Sequence, residues 1–502
     1  MSTPDLIDRR VHLGGATRSR GILGGTRSGF QWTGMIGCLV VSLMPLVGGT
    51  LSLSTVLVAV AGAAVSVGAW TPWPGMQERS AVLWALWWLR FWVRRRRAMS
   101  VFALARDGKS APPSPLAPLK AREAPSGLSV VRHHSPGRRA FQTVAWEMVG
   151  ARAGFDNDYM LGADQERFGK LAAACVTAEP RVVGLQQVSR VGSYDMADHV
   201  HWIAGKIPPG TNQRLIDSYV NLLDIGGEQS DQTRTWLVAR VRDAGLVDVA
   251  DDLDDDDDDL DADERVLRSV EQIAESVSQL AAMQGIQLRA LTGPRLAAVI
   301  RGLQDPDHPL DQTAGMAWDS AWAPWETWHP RHMVVHGSDR RWWTRTAVIP
   351  ADAVAPGALP ADFLWPLIGS MTPTLVRTVS THVELIPADR ARSKARDDVT
   401  ADGTAAMEAV TSSVDDGGAG RQLSLSEQHL VDLAAGSGHH GAAWVATITI
   451  QAPSLRDLAR ASKQLATAAE EAAITRLDFV DGWHDGAFCT TLPLAHGMGR
   501  TR

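Results

Sequence analysis

No charged residue occurs between Arg27 and Glu78. A charge placed in hydrocarbon costs about 3 kcal/mol or more, so a run of roughly fifty uncharged residues reads as bilayer-embedded. One span takes about 20 residues, and this run is long enough for two. Phe30–Val47 and Leu51–Trp70 are the apolar arms. Gly48, Gly49 and Thr50 lie between them with Pro45 just before, a composition that favours a tight reversal. At about 1.5 Å of rise per residue each arm covers roughly 27–30 Å, the thickness of a hydrocarbon core.

Flank charge sets the orientation. Arg9, Arg10, Arg18, Arg20 and Arg27 precede the arms against Asp5 and Asp8; Arg79, Arg90 and Arg94–Arg97 follow them, and the turn carries no basic residue. The positive-inside rule puts both termini in the cytoplasm, in a two-span plasma-membrane protein. A cleaved signal peptide is the rival reading. The basic lead over residues 1–29 is too long for one, and the second arm of the hairpin at 30–70 stays unexplained by it.

Residues 71–104 read as an interfacial helix. Trp84, Trp87, Trp88 and Trp92 recur at spacings that put most of them on one side, ahead of Arg94, Arg95, Arg96 and Arg97. Tryptophan prefers the half-wet headgroup zone, and each arginine is worth about 1 kcal/mol beside anionic lipid. These eight residues are the candidate membrane-interface site, with membrane lipids as the partner; a tryptophan-rich core helix is the alternative.

The rest of the chain is not membrane-like. Its 502 residues, 45% hydrophobic with a formal net charge of −7, allow the anchor and two or three globular units. Mild acidity argues against direct nucleic-acid binding. Cys38, Cys175 and Cys489 form no CxxC or Cys/His spacing, so neither a zinc site nor a disulfide framework is expected. Residues 105–127 are a Pro-rich linker. Residues 128–247 read as a first α+β unit, with strands at Arg181–Val188 and Arg234–Val241 and helices at Ala163–Val176 and Asn212–Leu223. Residues 248–263 are an acidic loop. Asp254–Asp259 repels itself, and a calcium loop starting at Asp254 has Asp259 where its sharp turn needs Gly.

Residues 264–374 read as a helical and Trp-rich segment. It opens with a helix over Glu264–Leu291, striped by Val266, Val270, Ile273, Val277 and Leu280. Trp318, Trp322, Trp325 and Trp328, then Trp342 and Trp343 beside Arg340 and Arg341, are core, an interface or a ligand-lined groove. Residues 375–502 read as a second α+β unit. A strand at Leu375–Ile386 precedes a helix opened by Ser424, with Glu427 in the capping-box position. A strand at Trp444–Gln451, a helix from Ser454 with Leu455, Leu458, Leu465 and Ala469 on one face, and a strand at Thr475–Val480 follow. That order suggests a right-handed βαβ crossover. The fold class is α+β: a transmembrane helical hairpin, then a cytoplasmic α+β body with a βαβ unit near the carboxyl end.

Catalytic signatures are missing. Gly108–Ser110 reads Gly-Lys-Ser, but position 103 is Ala and the site lies in the linker, so it is no phosphate cradle. No GxSxG, HExxH or strand-linked GxGxxG occurs. Adjacent histidines point to different faces, so His133–His134 and His439–His440 read as loop residues rather than metal ligands. No catalytic, cofactor-binding or metal residue is assigned, and the chain is read as a non-enzyme.

Three stretches carry a likeness: the hairpin with its Arg-rich exit; RVVGLQQVSRVGSYD followed by SDQTRTWLVARV; and the Leu375–Met498 tail ending AFCTTLPLAHGM. Over roughly 30–498, by order of parts, the chain resembles an actinobacterial conjugal-transfer (type IV secretion) membrane protein. It looks like the two-span inner-membrane subunit fused to the non-catalytic front domain of the conjugation motor ATPase. TTLPL resembles the point where that motor passes toward its nucleotide-binding half. The resemblance implies a membrane-anchored scaffold, an oligomer among other channel subunits, docking a separate P-loop motor ATPase. This sequence stops at Arg502 without Walker residues, so the motor is expected on another polypeptide. Two other readings stand beside it. One is a type VII secretion membrane subunit, marked by copurification with small WXG-type substrates. The other is a membrane-bound cell-envelope enzyme using His329, Arg340 and Arg341 in a Trp-lined groove.

Overall fold

The computed structural model describes residues 11–12 and, apart from short interruptions and longer ones at 74–78, 103–111, 135–139, 151–157, 194–198, 244–261 and 412–417, residues 29–497. Most of the basic lead, the turn at Gly49–Thr50, the acidic run and Gly108–Ser110 lie outside the described residues. The chain divides into two compact units, residues 16–99 and residues 1–15 with 100–502.

The smaller unit is helical. α1 (Gly29–Gly48) and α2 (Leu53–Trp70) contain no charged residue. Ser52 and Thr55 begin α2 with a reciprocal capping box: Thr55 N donates to Ser52 Oγ (3.2 Å) and Ser52 N to Thr55 Oγ1 (3.0 Å). The two helices lie antiparallel. Gly34 meets the Trp70 ring, while a Cβ on Gly62 would come within 3.1 Å of Ser42. Small residues at such points let helix backbones approach. Ser42 and Ser66 donate to the carbonyls of Cys38 and Gly62 (2.8 Å each), which keeps both hydroxyls satisfied on an apolar surface. α2 is long and apolar enough to cross a membrane; within α1 the apolar helical stretch Thr33–Met44 is shorter. α3 (Ala81–Arg96) starts at Ser80, whose hydroxyl accepts from Leu83 N (3.3 Å). It is shorter than the helix expected through residue 104: Val101–Phe102 belongs to a strand of the other unit.

The larger unit is built on one thirteen-stranded sheet. After β1 (Val101–Phe102) its first half runs β2 (Leu119–Glu123), β3 (Ser129–His133), β4 (Phe141–Val149), α4 (Asp158–Ala178), β5 (Val182–Ser193), α5 (Gln213–Gln229), β6 (Asp231–Arg242), α6 (Ala262–Met283), β7 (Gln287–Ala290) and α7 (Gly293–Gln304). The second half runs β8 (Trp325–His329), β9 (His332–His336), β10 (Arg341–Pro350), α8 (Trp365–Ile368), β11 (Val376–Ile386), α9 (Ala388–Thr411), α10 (Gly418–Asp432), β12 (Gly441–Ala452), α11 (Leu455–Glu471), β13 (Asp478–Phe479) and α12 (His484–Cys489).

The halves repeat one another. Strand order is β1-β8-β9-β10-β12-β11-β5-β6-β4-β3-β2, with β7 added to β4 as β13 is added to β10. The sequence succession of one half is thus answered by the other, mirrored about the antiparallel β5–β11 pair, where Ser189 faces Val379. The two α+β units expected at 128–247 and 375–502 share this sheet.

Alternation along β6 divides the core. Trp236 and Val238 pack with α7 and α12, whereas Leu237, Ala239 and Val241 pack with α4 and α6. Strand register puts Ala446, Ile448 and Ile450 of β12 on the Leu237 side, where α11 covers them. α11 forms because Leu458, Ala461, Leu465, Ala468 and Ala469 recur at helical spacing behind the Ser454 cap (Asp457 N to Ser454 Oγ, 3.1 Å). Leu455, expected on that face, is exposed.

Several expectations need correction. β2 forms inside the stretch read as linker, because Leu119 is buried and the segment pairs with β3. The helix expected over Glu264–Leu291 ends at Met283; Gly285 takes a positive φ (73°) and the chain turns into β7. The segment 264–374 contains β8, β9 and β10 besides helix. Ser424 lies inside α10, not at its start. β12 and β13 both pair antiparallel with β10, which lies between them. His133 is a buried strand residue rather than a loop residue.

Candidate functional site

α3 carries the eight residues singled out from sequence. Trp84, Trp88 and Trp92 sit at i, i+4 and i+8, so one helical face carries them: Trp84 and Trp88 stack with ring centroids 6.5 Å apart, and Trp92 tilts against Trp88 at 5.6 Å. All three are exposed, and Trp87 is half-buried on another face. Arg95 and Arg96 place their guanidiniums 5.6 and 5.9 Å from the Trp92 ring, cation–π distance. Arg94, Arg95 and Arg96 occupy the last helical turn, which the helix dipole favours, and Arg97 caps it. The result is an exposed aromatic ridge with a cationic end.

The tryptophan-dense segment goes mostly into the core. Trp322 and Trp325 are fully buried beside α7 and α12, with Trp325 edge-on to Phe488 at 6.2 Å. Trp342 is buried with its Nε1 donating to Asp307 (2.9 Å), and Trp343 packs on the opposite face. Trp328 alone of the first four is largely exposed, donating to Glu326 (2.6 Å). His329 pairs with His332 at one end of β9 and Arg341 with His336 at the other. Four residue steps along the strand, about 13 Å, therefore separate them. Arg340 is engaged by Asp307 at 3.3 Å.

The sequence did not reveal a buried polar seam between the halves. On the sheet face covered by α7 and α12, Gln186 donates to Ser380 Oγ (2.8 Å) and Leu492 O (2.8 Å) and accepts from Ala495 N (2.6 Å). His382 Nε2 lies 2.9 Å from Thr490 O. Arg190 donates to Leu303 O (3.0 Å), Thr378 Oγ1 (3.1 Å) and Gln451 Oε1 (2.8 Å). Residues of β5 and of the segment after α12 meet here. Period-two placement of Gln186, Arg190, Thr378, Ser380 and His382 was the available signal, but it reads equally as a solvated face.

Burial dominates the ionisation of this seam. It pushes His382 down to about 4 and Arg190 down to about 9. His332 is likewise pushed down to about 4 by burial. On the same face His484 is buried; its Nδ1 accepts from Thr346 N (3.2 Å) and its Nε2 lies 3.3 Å from Asp481. Burial lowers His484, and Asp481 opposes that. Burial pushes the Asp481 carboxyl up, and His484 and Arg345 outweigh it, leaving Asp481 below its ordinary range. These groups tie α12 and the carboxyl-terminal strap to the sheet. Cys175, on the buried face of α4, has its thiol pushed up to about 12, chiefly by burial.

Among the described residues, no group of three or more His, Cys, Asp or Glu is placed to hold a metal ion. No protein-family model matches the chain, and no curated protein matches it significantly.

Proposed function

We propose that this chain is a membrane-anchored, non-catalytic subunit of a conjugation-type export machine. α1 and α2 cross the plasma membrane as a two-span hairpin, α3 lies along the inner headgroups, and the sheet body docks a separate P-loop ATPase from the cytoplasm. The observation that carries the anchor is exposed apolar surface. Val40, Val41, Met44, Leu57, Val58, Val60 and Val65 lie open on α1 and α2, where a water-soluble helix would be polar. At about 1.5 Å per residue, the 20 and 18 residues of the two helices match one hydrocarbon thickness each.

Chain connectivity supports an even number of crossings. Val11–His12 pairs with Ala358–Leu359 inside the same unit as residues 100–502, so the chain leaves that unit before α1 and rejoins it after α3. The same reading takes β12-α11-β13 as a right-handed split βαβ crossover around β10.

Protease protection in sealed vesicles tests the topology. Inside-out vesicles should expose the 100–502 body to digestion and right-side-out vesicles should protect it; the reverse pattern overturns the proposal. Affinity capture from native membranes should bring down a P-loop ATPase, and metal-dependent ATP turnover by the purified chain alone would contradict a non-catalytic role.

A further inference from the structure

The two halves of the sheet splay at corresponding places, and their surroundings there differ. In the second half the β10–β12 ladder ends at Pro350 opposite Val445, leaving 441–444 of β12 paired with β11 alone, and the chain then continues through Val354, which bridges Ile474. Ala353 and Val354 are buried there in an apolar cluster. In the first half the strands part. The β5–β6 ladder runs from Asp231, opposite Ser193, to Val241, but the β4–β6 ladder starts only at Trp236, opposite Glu147. Past Glu147, β4 continues beside β7 to Val149.

Between the parted strands lies a cavity of about 670 Å³. Its walls include Gln232, Thr233 and Arg234 of β6, Glu147 of β4, Arg289 of β7 and Arg295 of α7. Three arginines and one carboxylate thus line the cavity, and Glu147 is already paired with Arg289 across the β4–β7 ladder. Arg295 is held in the wall by the carbonyls of Leu310 (2.8 Å) and Thr313 (2.6 Å). The amino end of α7, capped by Thr292, adds its partial positive charge to the same cavity. Gln232–Thr235 spans about 13 Å of strand at 3.3 Å per residue, the reach of a short extended peptide.

We propose that this cleft takes an extended acidic segment of a partner protein, which lies along Gln232–Thr235 as an added strand and sets its carboxylates against Arg234, Arg289 and Arg295. The inference rests on the docking role proposed above only for which protein supplies the segment; the cleft's preference is read without reference to the membrane.

Fluorescence anisotropy of the full chain in nanodiscs, with a labelled nine-residue peptide alternating glutamate and valine, tests this. Saturable binding is expected, weakening about tenfold or more between about 0.05 M and 0.3 M salt as charges are screened. Arg289→Glu, at a mostly exposed side chain, and Arg234→Glu should each weaken it about tenfold, and a proline at the centre of the peptide should abolish it. Absence of binding, equal binding of the proline peptide, indifference to Arg289→Glu, or tighter binding of an oligothymidylate of the same length overturns the proposal. An inverted vesicle topology would sink the export-machine reading and leave these readings unmoved.

Discussion

The helix pair and the sheet body use the same kinds of apolar residue in opposite ways. In α1 and α2 valine and leucine point outward, and the contact between the helices is made by Gly34, Ser42, Gly62 and Ser66. In the body the large side chains point inward: Trp146, Trp236, Trp322 and Trp325 are buried, and the surface carries the charge. Burial of apolar area, roughly 25 cal/mol per Å², drives association in water but not in lipid, where close backbone approach and satisfied hydroxyls replace it. With the helix pair in the membrane as proposed, the two units answer to two solvents, and equivalent substitutions should have different consequences in each.

The largest effect tests that contrast directly. Leu237→Asp puts a carboxylate between the sheet and its α4 and α6 layer and should abolish cooperative folding of the body, a loss of about 4 kcal/mol or more. Leu57→Asp in α2 should leave the body's circular dichroism and protease resistance unchanged while releasing protein from membrane pellets. If Leu57→Asp unfolds the body, the units are not separate in the way described.

Next in size is the ion pair between halves. Arg377 is wholly buried, donating to Asp231 (2.9 Å) and to the Leu375 carbonyl (3.0 Å). Asp231→Ala strands that guanidinium and should cost about 3 kcal/mol in urea unfolding. Arg377 also bonds the Ile368 carbonyl, so a loss below about 1 kcal/mol would mean that the carbonyls suffice.

The body should also respond to pH while the helix pair does not. His382 and His332 have folded pKa values near 4, below the unfolded value of about 6.5. Their depression contributes stability that is full above about pH 6.5 and is lost as pH falls toward 4, because the unfolded chain takes up protons that the folded one refuses. Unfolding free energies from urea titration should fall over that window, by about 3 kcal/mol for fully buried His382. His382→Gln should flatten the fall; an unchanged profile would place the titration elsewhere.

Gly34→Val has a smaller, local effect. Any Cβ there meets the Trp70 ring, so the substitution should loosen the α1–α2 pair by about 1–2 kcal/mol without moving the body's urea midpoint. Smallest is Arg95→Ala alone, which should weaken partition of a peptide covering residues 79–98 onto anionic vesicles by about 1 kcal/mol and leave neutral vesicles unaffected.

Legibility followed the range of the interaction. Ser454 as a cap, the α11 stripe and the α6 stripe were readable because their partners lie three or four residues away. α9 went unread: its Ala, Asp and Arg composition has little apolar periodicity. β8, β9 and β10 were hidden because tryptophan signals core, interface and groove alike, and only their pairing decides between them. The α3 ridge was legible because i, i+4 spacing fixes a face, whereas the cleft beside β6 was not, since Glu147, Arg234, Arg289 and Arg295 come from four separate elements.

Residue order alone set the charge-free stretch, the helix start at Ser454 and the polar-apolar alternation of the central strands, all consequences of local geometry and solvation. Tertiary structure decided that two distant stretches fold as mirrored halves of one sheet. It also decided that a face written in Gln, Thr, Ser and His lies buried under α7 and α12, because a strand's partner, unlike a helix's, is chosen by closing the chain over hundreds of residues.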